Sequence, residues 1–457
     1  MRGWPNPALF PKQALQDAAN AALSDPTTSS EALEYGPDPG WEPCRKAVAN
    51  WLTEFYRPAD HEGESYSSDV ARLCITGGAS QNLGCMLSVY TDPEYTRNIW
   101  IVAPAYFLAF RIFEDAGFAG KMRAVPEDED GVDLTYLRRE LEESEQKAKA
   151  EGKDRPRYKL ARRRAKVYKH IIYCVPTFAN PSSRTMSLQH RTEMVRIARD
   201  YDALLVADDV YDFLQWPAAE RSGRSLDDME RAHLPRLTDI DRVIDGGSDR
   251  NGADGFGNAC SNGSFSKIVA PGVRVGWVEG TPKFAYGVSQ CGTTRSGGAP
   301  SQLTSTYMTH LLTSGALPKH IRHTLQPAYA RRYASLMRAI ETHLVPLGFT
   351  LPQPNREVVG GYFVWLALPE GSKWNADKLA ARCRTEENVI VAPGGLFEVP
   401  GDGERVSFEG HIRLCFAWED ERSLVDGVKR VGRVAARIRD EDAGDQGSQG
   451  FDADSFK

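Results

Sequence analysis

No stretch of the 457 residues approaches the roughly 20 consecutive apolar positions that a membrane-spanning helix needs. The first residues, Met1-Arg2-Gly3-Trp4-Pro5-Asn6-Pro7, lack the apolar core of a secretory leader. Charge of one sign is also missing. With 56 Lys and Arg against 62 Asp and Glu, the net charge is only -6, which supplies no concentrated basic face and weighs against nucleic-acid binding. No two of the eight cysteines have Cys-x-x-Cys spacing, so a metal or redox pair of that kind is excluded. They sit instead in apolar stretches such as Leu73-Cys74-Ile75, Tyr173-Cys174-Val175 and Leu414-Cys415-Phe416, as buried thiols do in a reducing compartment. Hydrophobic and charged fractions of 41% and 26% are those of ordinary globular chains and exclude disorder throughout. The expectation is a soluble, cytoplasmic protein of two to four domains.

What the sequence does hold is organised about one lysine. In the stretch from Asn262 to Trp277, Lys267 stands among small hydroxyl residues, and the turn Pro271-Gly272 brings back Arg274 seven positions later. A lysine amine condenses with an aldehyde when its pKa is lowered and other groups anchor the aldehyde. Ser264, Ser266 and Arg274 are hydroxyl and guanidinium donors suited to a phosphate dianion.

Three further stretches carry the marks of a ligand site. An expected strand, Arg72 to Thr76, runs straight into Gly77-Gly78-Ala79-Ser80-Gln81 and a helical run to about Tyr90, and free N–H groups at a helix start attract an anion. A strand from Val167 to Val175, a helix from Ser187 to Tyr201 and a strand from Ala203 to Ala207 form a βαβ unit, which favours a parallel sheet. Its last strand delivers Asp208-Asp209-Val210-Tyr211 to a carboxyl end, where ligands bind in sheet crevices. Arg413 interrupts the apolar run from His411 to Phe416, and a buried guanidinium needs an anionic partner, either a ligand's or an internal one.

Taken in order from Tyr35 to Trp418, these stretches resemble the fold type I, aspartate-aminotransferase-like enzymes that use pyridoxal phosphate, nearest the aminoadipate and aromatic aminotransferase branch. The resemblance implies pyridoxal phosphate as cofactor. It implies that Lys267 forms the Schiff base and carries protons, and that Arg274, Ser264 and Ser266 grip the phosphate together with Gly78, Ala79 and Ser80. Tyr106 would stack on the pyridine ring, in a Pro104-Ala105-Tyr106 segment where Ala105 replaces the family's usual threonine. Asn180 would bind the phenolic oxygen and lie near the substrate, with Ser183 where a glycine often stands. Asp208, preferred to Asp209 by its spacing to Tyr211, would keep the ring nitrogen protonated so that the ring can accept electrons. Tyr211 would hydrogen-bond the phenolic oxygen, and Arg413 would fork the substrate's α-carboxylate. Tyr35, in Tyr35-Gly36-Pro37-Asp38-Pro39-Gly40, would reach the neighbouring subunit's phosphate, implying a homodimer with shared active sites. Gly3 belongs to a segment resembling the gate that covers the side-chain pocket.

The implied fold is α/β: a large domain with a mostly parallel central sheet flanked by helices, and a smaller α+β C-terminal domain. The expected divisions are an N-terminal arm at 1–42, a large domain at 43–325 with a polar insertion at 216–258, a small domain at 326–439, and a disordered acidic tail at 440–457. The charge-rich residues 126–167 read as an exposed helix without chemistry. The implied activity moves an amino group from an aromatic amino acid, 2-aminoadipate or another bulky L-amino acid to a 2-oxo acid, with 2-oxoglutarate the expected acceptor. Two alternatives stay open. One is an eliminating enzyme, such as a C–S lyase, on the same scaffold. The other is a non-catalytic cofactor-binding regulator, which would carry an N-terminal DNA-binding module, whereas this sequence enters its aminotransferase-like part almost at Met1.

Overall fold

The computed structural model describes residues 3–57, 68–159, 162, 165–218, 224–351, 357–403 and 405–448. Seven strands make the central sheet: β1 (Leu73–Thr76), β2 (Asn98–Ala103), β3 (Met122–Pro126), β4 (His170–Cys174), β5 (Ala203–Asp208) and, after the short strand β6 (Gln215–Pro217) that lies outside it, β7 (Ala259–Ser264) and β8 (Gly276–Glu279). Their order is β1-β8-β7-β5-β4-β2-β3. Pairings are parallel from β3 across to β7, and β8 runs antiparallel to both β7 and β1. Strands β1, β4, β5 and β8 are buried along their whole length, as expected for a sheet covered by helices on both faces. The parallel strands therefore deliver their carboxyl ends, including Asp208 and Ser264, to one edge.

A second sheet, of β10 (Phe363–Ala367), β11 (Ala392–Pro393) and β12 (His411–Cys415) in the order β10-β12-β11, lies in the C-terminal part with helices Ala376–Glu387 and Glu421–Ser448. The apolar run from Val358 to Ala367 is divided at Gly361, which takes φ +72, so β9 (Val358–Gly360) turns away from β10 and pairs with β6. The expected domain division at 325/326 falls inside one helical run, from Ala316 through Ile321–Leu325 to His343.

One expectation is corrected. The acidic tail does not begin at 440, because helix Glu421–Ser448 continues through it. Glu441 takes two hydrogen bonds from Arg382, at 2.5 and 2.9 Å, and Asp442 lies 3.6 Å from Lys378, so at the surface these acids pair with basic side chains of helix Ala376–Glu387. Residues 449–457 lie outside the described residues. Among its described residues the polar insertion at 216–258 carries packed structure. Trp216, Met229, Leu237 and Ile240 are buried, helix Leu237–Val243 packs on the sheet, and Arg236 is buried between Asp239 at 2.8 Å and Glu279 at 2.7 Å. Paired charges read as surface polarity in a sequence, although here they neutralise one another inside. Within 126–167, helix Leu134–Ala150 does form, burying Leu137, Leu141 and Ala148.

Candidate active site

Strand β7 is the least hydrophobic strand of the sheet, Ala259-Cys260-Ser261-Asn262-Gly263-Ser264, yet it is buried throughout. Its polar side chains are all partnered. Ser261 donates to Asp209 at 2.5 Å, Asn262 donates to the Ala79 carbonyl at 3.2 Å and accepts from Asn82 at 2.6 Å, and Ser264 Oγ accepts from the Ser266 N–H at 3.1 Å. The last contact caps the turn Phe265–Lys267, which sets Lys267 at the strand's carboxyl end. Its Nζ lies 5.6 Å from the Tyr211 ring centre and 5.3 Å from that of Tyr362. No carboxylate among the described residues is within ion-pairing distance. Burial lowers the Lys267 pKa to about 8; Cys415 and Asp208 oppose this fall and Arg413 adds to it. An amine freed of its proton near neutral pH can act as nucleophile and as base.

Beside it lies an anion cradle. Gly78 caps helix Ala79–Tyr90 with φ +109 and no side chain, leaving the first N–H groups of the helix directed at the site. A Cβ on Gly78 would lie 3.0 Å from Arg274 Nη2 and 3.5 Å from Ser264 Oγ, so glycine is required both for the turn and for the approach. Arg274 is itself held in the left-handed region, φ 50 and ψ 44. It donates to the carbonyls of Pro271 at 2.8 Å and Gly77 at 2.7 Å and lies 3.4 Å from Ser266 Oγ. Ala79 is partly exposed and Ser80 exposed at the rim. Ser264, Ser266 and Arg274 are thus brought together with Gly78, Ala79 and Ser80 from two separate stretches.

Asp208 ends β5, almost wholly buried. Its Oδ2 accepts from the Tyr173 hydroxyl at 2.8 Å, and its Oδ1 is buried without a hydrogen-bond partner. Burial raises its carboxyl pKa to about 6 against the opposing pull of Tyr173 and Lys267, with Asp212 adding to the rise. Asp209 points the other way, onto Ser261, so of the two adjacent acids it is Asp208 that shares the cleft with Lys267. Tyr211 is buried three residues on, its own proton held tightly by burial and by Asp208. Tyr106 is partly buried, and both Asp208 and Arg413 act on its hydroxyl.

On the small-domain side, Arg413 projects from β12 between two aromatic faces, its guanidinium carbon 4.1 Å from the ring centre of Phe363 and 4.8 Å from that of Phe397. Nη1 donates to Asn180 Oδ1 at 2.8 Å, and no described carboxylate pairs with it. A Cβ on Gly3 would sit 3.3 Å from the Phe363 ring and 3.5 Å from Arg413 Nη2, which brings the N-terminal segment to the same spot. Ser183, standing where the family often has glycine, adopts φ +61; its hydroxyl donates to the Phe363 carbonyl, a tie that offsets the left-handed backbone. Tyr35 is apart from this cluster, 89% exposed.

The orphaned oxygen of Asp208, the side-chain-free approach at Gly78 and the unpaired Lys267 together fit a phosphate-bearing aldehyde with a ring nitrogen, as expected of pyridoxal phosphate, and Arg413 offers a fork for a carboxylate. Sequence reasoning passed over Tyr173, Tyr362, Phe363 and Phe397. Each lies in an apolar run, where an aromatic residue gives no sign of which face it occupies.

Comparison with known proteins comes to the same place. A family model described as aminotransferase class I and II matches residues 5–431. An uncharacterised protein of Saccharomyces cerevisiae is 34% identical, over 95% of this chain and 95% of its own. The 2-aminoadipate transaminase of Thermus thermophilus is 26% identical, over 94% of this chain and 88% of its own. A crystal structure of Pyrococcus horikoshii kynurenine aminotransferase, in complex with PMP and kynurenine, superposes with a TM-score of 0.72 at 26% identity, covering 96% of this chain and 90% of that one.

Proposed function

The chain belongs to the aminotransferase class I and II family, and on that premise we propose that it moves the amino group of a bulky L-amino acid, aromatic or 2-aminoadipate, to 2-oxoglutarate. It is a transaminase, dependent on pyridoxal phosphate. When bound, that cofactor supplies an aldehyde for amine exchange and a ring that takes up the electron pair left as the substrate's Cα loses its proton.

In this reading Arg274, Ser264, Ser266 and the N–H groups of Gly78, Ala79 and Ser80 hold the phosphate. Asp208 Oδ1 accepts the ring N–H, Tyr211 and Asn180 hydrogen-bond the phenolic oxygen, and Tyr106 covers the ring face. Arg413 binds the α-carboxylate of the amino acid, with Gly3 leaving room above it. Lys267 Nζ accepts the Cα proton of the donor and, in the return half-reaction, delivers one to the Cα of the acceptor. Tyr35, exposed on the single chain, reaches the phosphate of a second copy in a homodimer. The cysteines, all eight free and buried, support a cytoplasmic setting, and no helix among the described residues is long and apolar enough to cross a membrane.

The observation that carries this is the meeting of a lysine and a nearly buried arginine, neither of which has an ion-pairing carboxylate among the described residues. Purified enzyme is assayed with phenylalanine, tyrosine, kynurenine and 2-aminoadipate, with and without 2-oxoglutarate. Formation of 2-oxo acid and glutamate only when the acceptor is present is the expected result. Release of 2-oxo acid and ammonia without acceptor overturns it in favour of elimination.

A further inference from the structure

We propose that Tyr173 is a positioning residue for the cofactor: its hydroxyl decides which oxygen of Asp208 faces the ring nitrogen and is that carboxylate's permanent donor. The proposal rests on the reading of Asp208 as the ring nitrogen's partner.

Tyr173 lies in β4, paired in parallel register with Val206 of β5. Register partners share a face of the sheet, and so does the residue two further along, which is Asp208. The tyrosine is buried among hydrophobic residues, edge-on to Phe113 with ring centres 5.7 Å apart. A phenylalanine would fill that space equally well, so the hydroxyl needs a reason. It has one partner among the described residues, Asp208 Oδ2 at 2.8 Å.

The consequence for Asp208 is an asymmetric carboxylate. Oδ2 is occupied, while Oδ1 is buried and has no hydrogen-bond partner. A carboxylate held through one oxygen is restrained in its rotation, and it offers the other oxygen in a preferred direction. The groups facing Asp208 come from every element packed on it: Tyr173 and Cys174 from β4, Tyr106 after β2, Tyr211 and Asp212 after β5, and Lys267 after β7. Burial and Asp212 favour a protonated Asp208, whereas Tyr173 and Lys267 favour the ionised form. Lys267 loses its influence as a cation when its amine gives up its proton, which burial brings down to about pH 8, and this leaves Tyr173 as the constant opposing influence. Without it, Asp208 holds a proton to higher pH and presents a donor where the ring nitrogen also needs an acceptor.

Four proteins test this: wild type, Tyr173→Phe, Asp208→Asn and the double variant. The dissociation constant of each apo-protein for pyridoxal phosphate is measured by fluorescence quenching from pH 5 to 9, with thermal melts to verify folding. The Tyr173→Phe protein is expected to bind roughly 10- to 100-fold more weakly near neutral pH, as loss of a hydrogen bond to a charged group predicts, and its acid-side loss of affinity should shift to higher pH. In the Asp208→Asn background the same change should alter affinity by less than about twofold, because its effect runs through the carboxylate. Equal fold losses in both backgrounds, or an unshifted pH profile in Tyr173→Phe, would mean that Tyr173 only fills space. If Asp208→Asn alone binds as wild type does, the assignment of Asp208 to the ring nitrogen falls, and this proposal with it. Should Asp208→Asn not fold, the pH profile of Tyr173→Phe decides by itself.

Discussion

Tyr362 and Lys267 are tied twice: the Tyr362 hydroxyl donates to the Lys267 carbonyl at 3.0 Å, and the Lys267 ammonium sits 5.3 Å from the centre of the same ring. The backbone of the lysine is thereby fixed while its amine, flanked on another side by Tyr211, keeps freedom to move between partners. That combination suits a residue which must both bond and release.

Replacing Lys267 with alanine should lower turnover by about a thousandfold or more, since it removes the proton carrier as well as the nucleophile. Cofactor should still be retained through the cradle at Arg274. Single-turnover kinetics together with phosphate analysis after gel filtration measure the two separately.

The lowered pKa of Lys267 has a stability signature. The unfolded chain holds this proton up to about 10.4, the folded chain only to about 8. Between those values the unfolded state binds more protons, so stability of the apo-protein gains a component that rises with pH. Below pH 8 the cost of the buried charge is fully present. Urea titrations at intervals from pH 7 to 10 should show a rising component in wild type that is missing in Lys267→Met.

Arg413→Lys should raise KM for the amino acid by about a hundredfold, while leaving the dissociation constant for pyridoxal phosphate nearly unchanged. An ammonium cannot reproduce the planar fork between Phe363 and Phe397. Steady-state kinetics with the best donor, alongside cofactor titration, make the comparison.

Gly78→Ala should reverse that pattern. With φ at +109 and Arg274 Nη2 only 3.0 Å from the new methyl, the cradle must open, and strain of roughly 1–3 kcal/mol is expected. Cofactor affinity should fall about tenfold or more, with a smaller change in KM once the enzyme is saturated.

Far from the cleft, Arg236→Met should destabilise the fold by about 3–5 kcal/mol, because it leaves Asp239 and Glu279 buried without their common cation. Denaturant unfolding at neutral pH reads this directly, and pyridoxal phosphate should not restore the loss.

The motifs were legible where chemistry forces a residue type at a strand end: Asp208 closing β5, Lys267 after β7, the glycines after β1. The helix expected from Ser187 to Tyr201 forms within one residue of those bounds, as Leu188–Asp200 with Ser187 capping its start. Strand β7 gave no such signal. Its serines and asparagine look like a loop until Asp209, Asn82 and the Ala79 carbonyl are found waiting for them. The same holds for Arg236, whose partners stand 3 and 43 positions away, and for the bend at Gly361, where one positive φ divides an otherwise continuous apolar run. Buried polar pairs and single dihedral angles are long-range or conformational facts, and apolar periodicity carries neither.

The N-terminal segment leaves little slack at the site: Gly3 has a ring of Phe363 and a nitrogen of Arg413 within a side chain's breadth, and Asn6 donates to the Trp418 carbonyl. Anyone producing this enzyme for assay should therefore attach the purification handle at the carboxyl terminus. A handle fused upstream would enter beside Arg413, the carboxylate fork proposed above, and a weak preparation could then be mistaken for a poor substrate.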